Sequence, residues 1–186
     1  GVHQMKFTIY QESRPGKRPT NEDRIAYSYS RDSLLMVVAD GMGGHLHGEV
    51  AAQIAVQYIT EAFQREAHPL LKDPFLFPSG ALGNAHHAIL DYAADRFLPE
   101  APRTTCVACI VQDSIAYWAH AGDSRLYAIR GGRILANHAC IPRGTRISQI
   151  VAIRSATGRA LDEASRPKPF SGHRTSDHRL SSFDRS

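Results

Sequence analysis

The strongest constraint on the fold lies in residues 33–67, where an apolar strand, a glycine-rich turn and an amphipathic helix follow one another. Ser33–Ala39 is a continuous apolar run, which is typical of a strand covered on both faces. Apolar side chains then recur with i, i+4 spacing from Val50 to Phe63 and predict a helix over Gly48–Ala67. Asp40 therefore stands where a buried strand meets a sharp turn.

Strands and one further helix are predicted on either side of this unit. The three prolines of His68–Pro78 predict a loop, and a second helix is expected to begin after it with Ser79 as its N-cap residue. The predicted strands are Met5–Gln11, Ile25–Tyr29, Thr104–Gln112, Ser114–Ala121 and a hairpin of Arg125–Arg130 with Arg133–Ala136 around Gly131 and Gly132. Strands, two helices and then a series of strands predict an α+β fold with antiparallel sheets rather than a doubly wound parallel sheet.

The charge of the chain is unevenly distributed. The formal net charge is +4, but residues 1–136 hold 13 Lys and Arg against 14 Asp and Glu, whereas residues 137–186 hold 9 against 4. The second segment is also poor in large apolar side chains, which is typical of disorder. We therefore predict a domain over residues 1–136 and a basic, disordered tail over 137–186, with one short helix near Gly158–Ser165.

The turn after Asp40 has the composition of a cation site. A carboxylate at a strand end is a ligand for hard cations, and glycine allows a backbone carbonyl to approach the same ion. The spacing of Gly41, Gly43, Gly44 and Gly48 does not match a dinucleotide-binding loop, and the alternating carboxylates of an EF-hand are missing. For this segment alone, a plain turn with a solvated Asp40 remains the alternative.

Two more acidic turns adjoin predicted strands. Asn21-Glu22-Asp23 precedes the strand at Ile25, and Gly122-Asp123-Ser124 lies between two strands. Each alone is typical of an ordinary turn. Together with Asp40, however, they would place several carboxylates at one end of a sheet, where Arg18 offers a planar pair of donors to phosphate oxygens.

These motifs resemble the metal-dependent PPM or PP2C family of bacterial Ser/Thr protein phosphatases. The resemblance rests on Arg18-x-x-Asn-Glu-Asp23, on Ala39-Asp-Gly-Met-Gly-Gly-His45 and on Ala121-Gly-Asp-Ser-Arg125, with Thr104-Thr105 opening a strand between the last two. They occur in the order and spacing of the family. The implied fold is a PP2C-like sandwich of two antiparallel sheets flanked by helices (αββα), with metals in a cleft at one end.

The resemblance also implies a role for each site residue. Asp40 bridges two Mn²⁺ or Mg²⁺ ions, and the Gly41 carbonyl binds one of them. Glu22 binds the second ion directly or through water, Asp23 orients metal-bound water, and Arg18 holds the substrate phosphate. Asp123 corresponds to a ligand of a third, weaker metal.

The implied partners are phosphoserine and phosphothreonine proteins, in opposition to a Ser/Thr kinase in the cytoplasm. No nucleic-acid partner is expected, since the first 136 residues are near neutral and the tail lacks a basic patch interleaved with aromatic residues. No membrane partner is expected either, since no run in the sequence approaches the ~18 apolar residues of a membrane-spanning helix. A nucleic-acid binder acting through the tail is the alternative class. Three cysteines, an odd number, fit a reducing compartment better than a disulfide framework.

The resemblance weakens after Leu135. The family pattern continues with an Asp-Gly segment and an Asp-Asn pair that carry further metal ligands, whereas Asp162, Asp177 and Asp184 lie in no such motif. We therefore expect that residues 137–186 are unrelated to the family, that the domain is incomplete and that metal binding is weakened. The alternative to a working phosphatase is a non-catalytic module that binds phosphoproteins.

Cys106-x-x-Cys109 has the spacing of half a zinc or redox site. An offset of three residues along a strand places the two thiols on opposite faces. We therefore predict two small buried side chains rather than a site.

Overall fold

The computed structural model describes Phe7, Ile9 and residues 22–42, 47–130, 133–136, 149–153 and 179–180. The elements are β1 (Asp23–Tyr29), β2 (Ser33–Gly41), α1 (Gly48–Glu66), α2 (Phe77–Asp95), β3 (Thr104–Gln112), β4 (Ile115–Ala121), β5 (Arg125–Arg130), β6 (Arg133–Ala136), β7 (Gln149–Ile153) and β8 (Arg179–Leu180). The predicted strand Met5–Gln11 and the predicted helix near Gly158–Ser165 fall largely or wholly outside the described residues.

The first sheet contains β1 to β4 in chain order, and every neighbouring pair is antiparallel. The two central strands are covered on both faces, as the apolar run of β2 predicts: Leu34 through Ala39 are all buried. The strands predicted at Ile25–Tyr29, Ser33–Ala39, Thr104–Gln112 and Ser114–Ala121 are therefore confirmed, with β1 and β2 each extending two residues further toward Asp23 and Gly41.

One face of this sheet packs against the two helices. The inner residues of α1 and α2 join alternate residues of β2 and β3 in one core, which contains Leu35, Val37, Ala39, Ala51, Ala55, Ile59, Phe63, Phe77, Ala85, Ile89, Ala108 and Ile110 among others. The helix predicted over Gly48–Ala67 is confirmed to within one residue. The predicted antiparallel α+β class is confirmed as well.

The predicted start of the second helix at Ser79 is wrong. The helix begins at Phe77, and Oδ1 of Asp73 accepts hydrogen bonds from the backbone N–H groups of Phe75 (3.1 Å) and Leu76 (2.9 Å). Ser79 instead donates its hydroxyl to the carbonyl of Leu76 (3.1 Å). Pro78 misled the prediction, because proline is tolerated in the first turn of a helix, where its missing N–H group costs nothing.

The second sheet has the order β6-β5-β7-β8 and is also antiparallel. Leu126 and Ala128 of β5 share a second core with Leu34, Met36, Val107 and Val111, which lie on the face of the first sheet opposite the helices. The two sheets thus form the predicted sandwich. The predicted hairpin of β5 and β6 is present, while its turn at Gly131 and Gly132 lies outside the described residues.

Two of these strands fall within the segment predicted to be a tail. β7 pairs with β5, and β8 pairs with β7, so parts of residues 137–186 join the second sheet. Most of that segment is not described, and the domain boundary at residue 136 stays a prediction.

The two described cysteines lie on opposite faces of β3, as predicted. Cys106 belongs to the core beneath the helices and Cys109 to the core between the sheets. Both are buried and free. Among the described helices, none has the length and apolar character required to cross a membrane.

Candidate active site

Four strand ends meet at one end of the first sheet. β1 begins there at Asp23, β2 ends at Gly41, β3 begins at Thr104 and β4 ends at Ala121. Because neighbouring strands are antiparallel, the start of one strand lies beside the end of the next. The three acidic turns, at Glu22–Asp23, Asp40–Gly41 and Asp123, therefore converge on one edge of the structure.

Asp23 and Asp40 lie directly opposite each other in the antiparallel pair of β1 and β2. Opposed residues project from the same face of a sheet, so their carboxylates lie side by side. Asp40 alternates in phase with Leu34 and Met36, and both carboxylates thus face the second sheet. Asp23 is only 5% exposed. Asp40 is partly buried. Two neighbouring ionised carboxylates repel each other, and a cation between them relieves that repulsion.

Gly41 allows three backbone segments to meet beside these carboxylates. Its N–H group donates to the carbonyl of Glu22 (3.2 Å). A Cβ atom at residue 41 would lie 2.5 Å from the carbonyl oxygen of Gly48 and 2.9 Å from that of Glu22. The start of α1 therefore packs directly against the end of β2, and only glycine fits this contact.

The donors at this end suit a hard divalent cation. Oε2 of Glu22 is buried and has no hydrogen-bond partner among the described residues, and Oδ1 of Asp40 is buried as well. Carboxylate and carbonyl oxygens are the ligands that Mg²⁺ and Mn²⁺ favour. Within the described ranges, however, no three His, Cys, Asp or Glu side chains are gathered closely enough to hold an ion unaided. These residues are thus a partial donor set.

Asp123 lies on the short turn that carries the chain from the first sheet to the second, between β4 and β5. Gly122 adopts a φ of +88° at its start, a conformation that strongly favours glycine. Ser124 ends the turn, and its buried hydroxyl is hydrogen-bonded to that of Thr105. Asp123 itself is exposed at the end of the sheet that carries Asp40.

Thr105 and Ser124 are part of the sequence motifs, but the sequence predicted no role for either residue. Their proximity depends on the strand register, which pairs Thr105 with Asp40 and cannot be obtained from local sequence.

Arg18 lies outside the described residues, so its predicted role stays a prediction. Arg24 donates from one Nη atom to the carbonyl of Asp23 (2.8 Å) and from Nε to Oε1 of Gln53 (3.1 Å).

The described residues form a two-sheet α+β sandwich with oxygen donors gathered at one end of the first sheet. A family model described as protein phosphatase 2C matches residues 12–159. The chain belongs to the protein phosphatase 2C family. The match extends past residue 136 into the segment that the sequence alone suggested was unrelated.

Relatives and solved structures agree with this placement. The chain is 30% identical over 123 residues to the serine/threonine phosphatase stp of Listeria monocytogenes, covering 65% of this chain and 49% of that protein. It is 30% identical over 116 residues to the protein phosphatase PhpP of Streptococcus pneumoniae, covering 62% and 47%. The chain therefore spans about half the length of these curated relatives.

Two solved structures of this class superpose on the chain. The serine/threonine phosphatase PstP/Ppp of Mycobacterium tuberculosis does so with a TM-score of 0.56 at 25% identity, over 75% of this chain and 55% of that one. The catalytic domain of PstP in complex with two manganese ions gives a TM-score of 0.56 at 26% identity, over 72% and 54%.

Proposed function

We propose that this chain acts in the metal-dependent hydrolysis of phosphoserine and phosphothreonine in proteins. The observation that carries the proposal is the opposition of Asp23 and Asp40 at the end of the first sheet where the acidic turns converge. Family membership supports it, since the family model is that of a protein phosphatase. The relatives named above are serine/threonine or protein phosphatases.

Each site residue has a proposed task. Asp40, the Gly41 carbonyl and Glu22 would hold two Mn²⁺ or Mg²⁺ ions, and Asp123 a third. When bound, these ions supply activation of water at neutral pH and stabilisation of charge on the phosphoryl oxygens. Asp23, buried beside Asp40, would accept a hydrogen bond from the attacking water and orient it. Arg18 would bind two phosphate oxygens through its planar guanidinium group.

The proposed partners follow from this chemistry. A phosphorylated side chain of a protein would enter the cleft, and the partner that renews the substrate would be a Ser/Thr kinase. A cytoplasmic location remains our proposal, supported by the two described cysteines, which are free.

A second candidate function is phosphoprotein binding without hydrolysis. The observation that favours it is the partial donor set: in the described part of the chain no three metal-ligating side chains form a group. A phosphate would then be held by Arg18 without a complete metal pair beside it.

Hydrolysis assays on the full chain separate the two functions. We expect Mn²⁺-dependent release of phosphate from p-nitrophenyl phosphate and from a phosphothreonine peptide, with activity lost in Asp40→Asn. Asp91→Asn is the matched control, because Asp91 is exposed on α2 and the same charge is removed. Binding of the phosphopeptide without turnover would favour the second candidate. Activity that is equal in Asp40→Asn and wild type would contradict the proposed site.

A further inference from the structure

Thr105 and Ser124 form a buried hydroxyl pair at the junction of the two sheets. Thr105 is 3% exposed and Ser124 is 2% exposed, and their hydroxyl groups are hydrogen-bonded to each other. Nineteen positions separate them in the sequence, so the contact joins the start of β3 to the turn that leads into β5. A buried hydroxyl pair is costly to break, because each group would be left without this partner.

The pair lies between two of the proposed metal ligands. Thr105 is directly opposite Asp40 in the β2–β3 register, and Ser124 is the residue after Asp123. On the same turn, Gly122 lies against the side chain of Thr105: a Cβ atom at residue 122 would be 2.7 Å from Cγ2 of Thr105. Both the hydroxyl and the methyl group of Thr105 thus contact the turn that carries Asp123.

We propose that the Thr105–Ser124 hydrogen bond positions the Asp123 turn relative to Asp40, so that both carboxylates serve one metal centre. The pair has no contact with substrate in this account, and its residues are positioning residues. This inference rests on the proposed function, since it assumes that Asp40 and Asp123 bind metal. The hydroxyl of Thr105 fixes the turn, while its methyl group fills space against Gly122.

Two substitutions at residue 105 distinguish the effect of the hydroxyl group from that of the methyl group. Thr105→Val keeps a branched side chain and loses the hydroxyl, whereas Thr105→Ser keeps the hydroxyl and loses the methyl group. Ser124→Ala removes the partner hydroxyl. We expect Thr105→Val and Ser124→Ala each to raise the Kd for Mn²⁺ about three- to tenfold, while Thr105→Ser stays near wild type. The double variant Thr105→Val/Ser124→Ala should be no weaker than either single variant, because one shared bond is lost.

Calorimetric titration with Mn²⁺ and hydrogen exchange of the metal-free full chain test the inference together. Faster exchange of the amides at residues 122–124 in Thr105→Val, but not in Thr105→Ser, is the expected result. Unchanged exchange in Thr105→Val, or an Mn²⁺ affinity equal to that of wild type, would overturn the inference. Equal effects of Val and Ser at residue 105 would overturn it too, since loss of the hydroxyl would then not be what displaces the turn. A wild-type chain that binds no Mn²⁺ would contradict the proposed function and the metal role of the pair, whereas unaltered exchange with normal Mn²⁺ binding would remove the inference alone.

Discussion

Gly48 lies directly against the carboxylate of Glu22. A Cβ atom at residue 48 would be 2.8 Å from Oε2 of Glu22 and 2.8 Å from the carbonyl oxygen of Met42. The first residue of α1 therefore has no room for a side chain, and the position of Glu22 depends on this lack of one. The start of α1, the end of β2 and the side chain of Glu22 are therefore packed closely together.

Gly48→Ala should consequently displace Glu22 or the start of α1. We expect a loss of about 1–3 kcal/mol in the free energy of unfolding, as in other overpacked sites, together with weaker Mn²⁺ binding. Urea denaturation and Mn²⁺ titration measure the two effects. Gly83→Ala on α2 is the matched control, because nothing lies within 4 Å of its added Cβ atom; it should stabilise the protein by up to about 1 kcal/mol. Equal behaviour of the two variants would contradict the account of Gly48.

The start of α2 provides a second prediction. Asp73→Ala removes the acceptor of two backbone N–H groups in the turn that leads into the helix and should cost about 1 kcal/mol of stability. Ser79→Ala, at the position that the sequence suggested as the cap, should change stability by less than about 0.5 kcal/mol. Urea unfolding of both variants measures the difference. A larger loss in Ser79→Ala than in Asp73→Ala would contradict this account of how the helix start is stabilised.

The buried thiols predict how stability depends on alkaline pH. Desolvation raises the pKa of Cys106 from 9.0 to about 12 and also raises the pKa of Cys109. In the unfolded chain these thiols ionise near their ordinary pKa, so above that pH the unfolded state binds fewer protons than the folded state. The stability that these buried, protonated thiols contribute is fully present below pH 9.0 and is lost as the pH rises toward about 12.

Urea unfolding between about pH 7.5 and pH 10 checks this dependence. Each thiol should contribute a slope approaching −1.4 kcal/mol per pH unit above its unfolded pKa. The variant Cys106→Ala/Cys109→Ala should be less stable near neutral pH, because cavities form, yet should lose less stability with rising pH. An identical pH slope in the variant and the wild type would show that these thiols do not cause it.

The sequence predicted the first sheet and α1 well because their patterns are local and strong. The apolar run of β2 and the i, i+4 spacing of α1 each fit one structure, and the structure follows them to within two residues. The start of α2 was missed because Pro78 looks like a loop residue, although the first turn of a helix accepts proline.

The candidate site was predictable in part. Asp40, Glu22 and Asp123 stand out as acidic residues at strand ends, and their convergence follows from an antiparallel sheet. The contact of Thr105 with Ser124 and the crowding at Gly48 were not predictable, since both depend on strand register and on the docking of a helix. A local motif specifies which residues are present, but tertiary packing determines which of them touch.

The central claim is that the end of the first sheet holds divalent cations through Asp40. Isothermal titration of the full chain with Mn²⁺ tests it most directly, with Asp40→Asn and the exposed control Asp91→Asn measured under the same conditions. We predict that wild type and Asp91→Asn bind Mn²⁺ with the same affinity, and that Asp40→Asn binds it at least about a hundredfold more weakly. Equal binding by Asp40→Asn and wild type would contradict the claim.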